Sequence, residues 1–198
     1  MDSTTTLKAT TTAASEIEQA VAVIVLAFST DPVARWANPD PVQYLTYFPA
    51  GVRAFGGRAF EHGTGHHLSG FAGAALWLPP GVLPDEEALG AAVEASVPEK
   101  ELQAEVFAVF ERMGSYHPAE PHWYLPLIGV DPAHQRKGYG SVLLQHALSQ
   151  CDRDHAPAYL ESSNPANIPL YERHGFEVLG TIQVGSSPPI FPMLRPAR

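Results

Sequence analysis

The sequence predicts one α/β domain that spans residues 1–198, and three observations lead to that prediction. Short apolar runs of strand-like composition alternate along the chain with longer segments of helical periodicity. The run that ends at Val130 is followed by a polar, glycine-rich turn and then by an apolar helical pattern. The chain has 198 residues, of which 45% are hydrophobic, and this is enough for one domain with a sizeable core.

The first half of the chain is predicted to be mainly helical. Ser15 is the candidate N-cap of the first helix, Glu18 reaches back to complete a capping box, and Asp31-Pro32 ends that helix. Between residues 32 and 60, aromatic residues alternate with prolines and glycines, which predicts several short helices. In chain order the predicted elements are a strand at 7–12, a helix that carries Phe28 on its apolar face, short helices within 32–60, a strand at 71–78, and helices at 85–95 and 99–113.

The second half is predicted to contain most of the strands. Pro126 interrupts an apolar strand, and because proline lacks an N–H it marks an edge or a bulge. Gly175 occupies the position of a left-handed C-cap, and Phe176 is placed to pack back onto the helix before it. The predicted elements are a strand at 122–130, a helix at 141–152, a strand at 158–163, a short helix at 164–175, and closing strands at 178–184 and 190–194.

Composition excludes several classes of protein. The formal net charge of -9 argues against a nucleic-acid binder and favours cationic small-molecule partners such as amines. No apolar run is long enough for a membrane helix, and no signal peptide is recognisable. The single cysteine, Cys151, falls on the apolar phase of its helix and indicates a reducing, cytoplasmic location. The sequence leaves open whether the protein forms a homodimer.

A cluster of histidines in a glycine-rich stretch does not have the pattern of a metal site. His62, His66 and His67 have no cysteine or carboxylate at a ligand spacing. We interpret the stretch as a solvated loop and predict no metal site.

The turn after Val130 has the properties of an anion site. A helix that starts after a loop presents unpaired N–H groups and the positive end of its dipole to that loop. Gly138 and Gly140 allow close approach to the backbone, and Arg136 and Lys137 add positive charge. The position of Lys137 before the glycines excludes a Walker A loop, and the absence of a third glycine excludes a dinucleotide fingerprint.

Two motifs together resemble the GNAT superfamily of N-acetyltransferases. The stretch from Gln135 to Gly140 resembles that family's Gln/Arg-x-x-Gly-x-Gly/Ala loop, and Asn164 followed by Leu170-Tyr171 and Gly175-Phe176 resembles a second family segment. The two occur in the family's order and separation. Further stretches resemble the branch that includes puromycin N-acetyltransferase: 27–32, 75–81 and 122–125.

The resemblance implies a mixed, splayed central β-sheet flanked by helices, with acetyl-CoA as the acyl donor. The gap beside the strand at 122–130 would hold the pantetheine, whose amides would pair with the backbone. A backbone N–H near Gly129 and Val130 would polarise the thioester carbonyl, and either Asn164 or Asn167 would contact the pantetheine arm. The residues expected at the donor are Ile128, Gly129, Val130, Gln135, Arg136, Lys137, Gly138, Tyr139, Gly140, Ser141, Asn164 and Asn167.

Acetyl transfer to an amine requires a group that protonates the leaving thiolate and a group that accepts the amine proton. In the family the tyrosine at the position of Tyr171 has the first role. The base is open between Glu161, which ends a strand beside the expected acetyl site, His122 on the preceding strand, and a chain of ordered water. The acceptor is expected against aromatic residues of the N-terminal third and of the strand at 122–130: Phe28, Trp36, Trp123 and Tyr124.

These inferences predict an acetyl-CoA-dependent N-acetyltransferase. The acetyl group would pass directly to the amine of a small molecule within a ternary complex. The alternative is a catalytically silent acyl-CoA-binding module with a sensing or regulatory role.

Overall fold

The computed structural model describes residues 7–198, so the first six residues of the predicted domain lie outside the described part. The helices and strands alternate as the sequence predicts. In chain order they are β1 Ala9–Thr11, α1 Ile17–Ala27, α2 Pro32–Ala37, α3 Pro41–Gly56, α4 Arg58–Glu61, β2 Gly65–Leu68, β3 Gly73–Leu78, α5 Glu86–Ser96, α6 Lys100–Gly114, β4 Trp123–Val130, α7 Tyr139–Arg153, β5 Ala158–Ser162, α8 Ile168–Arg173, β6 Glu177–Val178 and β7 Phe191–Arg195.

The strands form one mixed sheet in the order β1-β2-β3-β4-β5-β7-β6. All neighbours are antiparallel except β4 and β5, which are parallel. The predicted mixed α/β sheet flanked by helices is thereby confirmed. The parallel pair lies in the middle of the sheet, where both faces are covered by helices.

Each face of the sheet has its own core. On β3, Ala75 and Trp77 pack with α7, whereas Ala74, Leu76 and Leu78 pack with α1 and α3. This alternation explains why the whole strand is buried and apolar. Cys151 belongs to the α7 core, and burial raises the pKa of its thiol to about 12, so it is the inert small hydrophobe that the sequence predicts.

A bulge in β4 opens the sheet. Against the two-residue step from Leu76 to Leu78 on β3, β4 takes the three-residue step from Leu127 back to Tyr124. The extra residue is Pro126, which has no N–H to donate to a ladder. β4 pairs with β5 only over Trp123–Leu125, while β5 continues its pairing with β7 to Ser162. The two central strands therefore diverge after Leu125.

Four local predictions are wrong: the N-cap of the first helix, the short helices over 41–56, the closing strand at 178–184 and the histidine-rich loop. The first helix is capped by Glu16, whose Oε2 accepts the Ala13 N–H at 2.8 Å, so Ser15 lies inside the first turn. Glu18 pairs instead with Arg53 on α3.

Residues 41–56 form one long helix rather than short ones. Asp40 caps it and Pro41 fits its first turn, where a proline N–H is not needed. The prolines and glycines that suggested interruptions do not break this helix, and its residues at helical spacing face the core, namely Tyr44, Phe48, Val52 and Phe55. At the other end of the chain, the closing strand predicted at 178–184 is reduced to Glu177–Val178 and a bridge between Ile182 and Ile190.

Residues 65–68 of the histidine-rich stretch form a strand rather than a solvated loop, whereas His62 is exposed at the end of α4. His67 is buried, and its Nδ1 lies 3.1 Å from the hydroxyl of Thr12, which follows β1. His66 points to the opposite face, where its ring lies 4.6 Å from that of His146 on α7. Histidine is not a strong strand former, so tertiary pairing with β1 and β3 decides this element.

His66 makes the stability of the fold sensitive to acid. Burial, with smaller contributions from His146 and His67, lowers the pKa of His66 from 6.5 to about 4. Between these values the unfolded ring binds a proton and the folded ring does not, so stability falls as the pH falls through this window, by up to about 1.4 kcal/mol per pH unit. We expect His66→Gln to flatten this part of the curve of unfolding free energy against pH, measured by urea denaturation. The exposed His62→Gln control should leave the slope unchanged, and an equal slope in both variants would contradict the assignment.

Candidate functional site

A cavity of about 770 Å³ occupies the gap between β4 and β5. Residues 125–130 of β4 and Glu161 at the end of β5 line its middle. The loop before α7, the start of α8 and helices α1–α3, α5 and α6 complete the walls. Of the residues predicted from the sequence, the cavity brings together Phe28, Trp36, Ile128, Gly129, Val130, Gln135, Arg136, Gly138, Tyr139, Gly140, Ser141, Glu161, Asn164, Asn167 and Tyr171.

The loop before α7 has the backbone of an anion cradle. Gly138 is the N-cap of α7 and adopts a left-handed conformation with φ of 85°. A Cβ atom at Gly138 would meet no heavy atom within 4 Å, so the space above it is open to a ligand. Arg136 and Arg173 line the same cavity and supply positive charge. The first N–H groups of α7 and these two guanidinium groups suit a diphosphate.

Two predicted loop residues are occupied by contacts within the protein. The Nζ atom of Lys137 donates to the Ala133 carbonyl at 2.9 Å, and Lys137 is not among the residues that line the cavity. The Ser141 hydroxyl lies 2.6 Å from Nε2 of His174, which joins the start of α7 to the end of α8.

Backbone groups of β4 point into the gap. The Asp131 N–H bonds to Ala72 on the β3 side, so by strand alternation the backbone groups of Ile128 and Val130 face away from β3. The side-chain amide of Gln135 donates to the Val130 carbonyl at 3.2 Å. The N–H groups of Ile128 and Val130 are thus directed at a molecule that enters the gap.

Tyr171 on α8 is buried and lines the cavity. Burial raises the pKa of its hydroxyl above the ordinary value, and the negative charge of Asp31 raises it further. The hydroxyl therefore keeps its proton at neutral pH.

Asp31 lines the cavity, a role that the sequence does not predict beyond the end of the first helix. Its Oδ1 accepts the N–H groups of Val33 and Ala34 at 3.0 Å, and its Oδ2 accepts the Ser163 hydroxyl at 2.6 Å. An aspartate before a proline is a signature of a helix start, which is the signal that was available. Asp31 thus caps α2 and ties it to the end of β5.

Glu161 is almost enclosed, with a side-chain exposure of 3%. It faces the same side of the sheet as Tyr124 and Tyr159. Burial raises the pKa of both phenols, and the charge on Glu161 adds to that effect. Its Oε1 lies 3.3 Å from Nε2 of His117, a residue that the sequence analysis did not single out. His117 lies in the connection between α6 and β4, where no pattern predicts its direction.

His122 is not a cavity residue. Its Nε2 lies 3.0 Å from Nδ1 of His117, and its Nδ1 bonds to the Glu120 carbonyl at 2.8 Å. Burial lowers the pKa of His122, and the neighbouring His117 lowers it further. His117 therefore lies between His122 and Glu161, so His122 is not beside the carboxylate.

Two of the predicted acceptor residues do not reach the cavity. Trp123 points to the α7 face, where its Nε1 donates to Asp154 at 3.1 Å. Tyr124 points to the α1 and α3 face but lies beneath Phe55 and Tyr159, with ring centroids 6.1 and 5.9 Å away. These two placements correct the prediction that the strand itself forms the acceptor wall.

Away from the loop before α7, the cavity has an apolar surface, part of which comes from helices that the sequence does not connect to the site. Helices α5 and α6 contribute to this surface together with α2 and α3. Its apolar residues include Trp36, Phe48, Phe55, Val93, Phe110 and Met113. Amphipathic spacing in α5 and α6 predicts a buried face, but not which cavity that face covers.

Both predicted asparagines line the cavity. Asn164 Oδ1 accepts the Ala166 N–H at 3.0 Å and so caps the turn before α8.

Within residues 7–198, no cluster of three or more histidine, cysteine or acidic residues could hold a metal ion. Over the same residues, every helix is too short or too polar to cross a membrane.

Comparison with known proteins identifies the family of this chain. The model of the acetyltransferase (GNAT) family matches residues 38–176. An uncharacterized N-acetyltransferase of Schizosaccharomyces pombe is 44% identical over 54 residues, which are 27% of this chain and 22% of that protein. The match thus spans about a fifth of that relative's length.

Two solved structures have a similar fold over nearly their whole length. One is described as histone acetyltransferase HPA2 and related acetyltransferase from Corynebacterium glutamicum, with 24% identity, 97% of each chain covered and a TM-score of 0.68. The other is arylalkylamine N-acetyltransferase 2 from Aedes aegypti, with 11% identity, 98% of this chain and 100% of that chain covered, and a TM-score of 0.67. At these identities the likeness is one of fold.

The anion cradle can be tested at Gly138. We expect Gly138→Asp to weaken the binding of acetyl-CoA at least about tenfold, because a carboxylate would stand where a phosphate must approach, and such a loss equals about 1.4 kcal/mol. Gly138→Asn is the matched control, since asparagine has the same shape without the charge and tolerates a positive φ. Calorimetric titration of both folded variants is the measurement. Equal affinity of the Asp and Asn variants would show that the loop does not bind the donor's phosphates.

Proposed function

Because the chain belongs to the acetyltransferase (GNAT) family, we propose that it transfers an acetyl group from acetyl-CoA to the amine of a small molecule. The transfer is direct, within a ternary complex. The observation that carries this proposal is that Glu161 and Tyr171 line one cavity together with the anion cradle at Gly138. A base, an acid and a site for the donor's phosphates are thus available to one reaction.

The donor half of the cavity supports acetyl-CoA. Arg136, Arg173 and the first N–H groups of α7 suit the diphosphate. The N–H groups of Ile128 and Val130 face the gap and would pair with the pantetheine amides as an added strand does. One of these two N–H groups would instead polarise the thioester carbonyl, which leaves the other for the pantetheine. Asn164 and Asn167 both remain candidates for the pantetheine arm.

Tyr171 is the proposed acid. Its raised pKa keeps the hydroxyl protonated, so a proton is available for the sulfur as the C–S bond breaks. A free thiol has a pKa near ~8.5, and the leaving thiolate gains from protonation at neutral pH. The product is then neutral CoA thiol.

Glu161 is the proposed base, in preference to His122. Glu161 lines the cavity, and His122 does not. A carboxylate in a nearly enclosed site also attracts an ammonium group, which positions the amine before it loses its proton.

The acceptor half of the cavity favours an amine with an apolar body. Its walls are aromatic and aliphatic, and its middle carries the carboxylates of Glu161 and Asp31. Such a site binds a cationic head at one end and an apolar group at the other. The Aedes aegypti protein with a similar fold is an arylalkylamine N-acetyltransferase, and an arylalkylamine is an amine of that kind. We keep the resemblance to the branch that includes puromycin N-acetyltransferase as part of this proposal.

We also infer a single acetyltransferase domain over residues 1–198. A cytoplasmic location is consistent with the single cysteine. A homodimer remains a prediction.

An amine panel tests the function. Release of CoA thiol is measured with acetyl-CoA and arylalkylamines, short polyamines or a lysine peptide, and products are identified by mass. We expect turnover with apolar primary amines. Tight binding of acetyl-CoA without amine-dependent thiol release would identify the alternative, a silent acyl-CoA-binding module.

Tyr171→Phe should lower kcat by about 10²-fold or more, with little change in the Michaelis constant for acetyl-CoA. The lost hydroxyl acts on charge that develops in the transition state, and general acid catalysis contributes ~10²–10⁴-fold. Tyr44→Phe removes a phenol that donates to the Val25 carbonyl at 2.5 Å and should lower the melting temperature without lowering kcat. Steady-state kinetics and thermal melting on both variants make the comparison. Unchanged kcat in folded Tyr171→Phe would assign the acid role elsewhere.

Trp36→Ala should lower kcat/KM for a bulky arylalkylamine by about tenfold and for a small alkylamine much less. The ring is a wall of the acceptor half, and burying an aromatic group contributes about 1.5–3 kcal/mol. Affinity for acetyl-CoA, measured by titration, should stay the same. Phe107→Ala is the control, because Phe107 is an exposed aromatic residue of α6 that does not line the cavity. Loss of acetyl-CoA binding in Trp36→Ala would count against this division of the cavity.

A further inference from the structure

Three groups connect the cavity to the outer end of β4. Glu161 lines the cavity, and its Oε1 lies 3.3 Å from Nε2 of His117. Nδ1 of His117 lies 3.0 Å from Nε2 of His122, and Nδ1 of His122 bonds to the Glu120 carbonyl at 2.8 Å. Exposure increases along the line, from 3% for the Glu161 side chain to 21% for His117. The groups thus form a continuous series from a dry interior towards solvent.

Donor and acceptor rules assign the protons in this series. A carbonyl only accepts, so Nδ1 of His122 carries a proton. If His122 is neutral, its Nε2 has the lone pair and Nδ1 of His117 must donate to it. A neutral His117 then turns a lone pair on Nε2 towards the Glu161 carboxylate. That juxtaposition is relieved when one proton is placed between Glu161 and His117.

We propose that Glu161, His117 and His122 form a proton relay that carries the amine proton out of the cavity, with His117 as its central member. This inference rests on the proposed function. Nothing in the amino-acid sequence pairs His117 with Glu161, because their contact is made only by the fold.

The reaction requires one proton to leave the site in each cycle. An alkylamine of the lysine type has a pKa near ~10.4, so it enters as an ammonium ion. Its nitrogen loses two protons as the amide N–C bond forms. One proton goes to the thiolate released by cleavage of the C–S bond, through Tyr171, and the other goes to solvent.

The second proton follows the relay. An N–H bond of the ammonium breaks as an O–H bond forms on Glu161. His117 takes that proton on Nε2 and gives its Nδ1 proton to Nε2 of His122. His122 then releases its Nδ1 proton to water, and rotation of both imidazole rings restores the starting arrangement of protons.

Apart from Glu161, the groups that face His117 are rings rather than charged side chains. The groups that face it are the rings of Tyr124, Tyr159 and His122, at centroid distances of 4.6, 4.4 and 5.2 Å, and the Glu161 carboxylate. Burial raises the pKa of both phenols, so both are uncharged at neutral pH. Tyr116 is the adjacent residue, and Glu120 offers its carbonyl to His122. Glu161 is then the nearest ionised partner of the relay.

Kinetics of histidine variants test the relay. With an accepted amine, His117→Gln should lower kcat/KM by about 10²-fold, the lower end of the range for general base catalysis. His122→Gln should lower it less, since His117, with a side-chain exposure of 21%, also reaches water. His62→Gln is the matched control, because His62 is an exposed histidine at the end of α4, and this variant should keep the wild-type rate. Acetyl-CoA affinity should be equal in all variants.

The pH profile separates a relay from a structural role. The wild-type rate should level off once the relay has lost its proton. In His117→Gln the rate should continue to rise as the amine itself becomes neutral, towards ~10. Added imidazole should restore part of the rate in His117→Ala and none in Tyr171→Phe. An unshifted profile together with no imidazole rescue would overturn the proposal.

A measurement without substrate separates this proposal from the proposed function. Nitrogen-15 spectra of the imidazole rings report which nitrogen of each histidine carries a proton. The relay requires the proton of neutral His122 on Nδ1 and a His117 signal that changes in Glu161→Gln. If His122 carries its proton on Nε2, or if His117 is insensitive to Glu161→Gln, the relay is wrong even in an active enzyme. If both conditions hold but no amine is acetylated, the relay exists and the proposed function fails.

Discussion

The one-residue bulge at Pro126 is the constraint on which the rest of the site depends. Before it, odd-numbered residues of β4 face α7, and after it, odd-numbered residues face α1, where Gly129 lies against Ala27. Because of the same one-residue shift, the N–H groups of Ile128 and Val130 point away from β3. Because proline cannot donate to a parallel ladder, β5 separates from β4 at this point. The cavity, its backbone donors and its access to Glu161 all follow from that separation.

Two carboxylates in one cavity have different environments and therefore different capacities. Asp31 accepts three hydrogen bonds, from Val33, Ala34 and Ser163, and its negative charge adds to burial in raising the pKa of Tyr171. Glu161 instead faces His117 and the phenols of Tyr124 and Tyr159. In the proposed reaction the first carboxylate acts as a fixed charge near the acid, and the second acts as the base. Neighbouring carboxyl groups acquire separate roles in this way when their surroundings differ.

The two halves of the cavity differ in how they are built. The donor half comes mostly from one continuous segment, the end of β4 and the loop into α7, whose shape depends on local backbone preferences such as the left-handed Gly138. The acceptor half is assembled from α2, α3, α5 and α6, which are far apart in the sequence. In the proposed reaction, substitutions on α5 and α6 would therefore alter the acceptor site while the donor loop stays unchanged.

The sequence by itself determined what is local. The glycines of the loop, the strand before it, the Gly175-Phe176 helix end and Pro126 all act through backbone conformation or a missing N–H, so their consequences are readable along the chain. The tertiary structure decided what depends on facing and distance. Trp123 and Tyr124 lie on the predicted strand, yet neither reaches the cavity, because side-chain direction follows sheet packing. For the same reason, the sequence did not indicate that His117 and Asp31 belong to the site, or that His117 lies between His122 and Glu161. Contacts between residues more than 30 positions apart leave no periodic trace in a single sequence, and only folding brings them together.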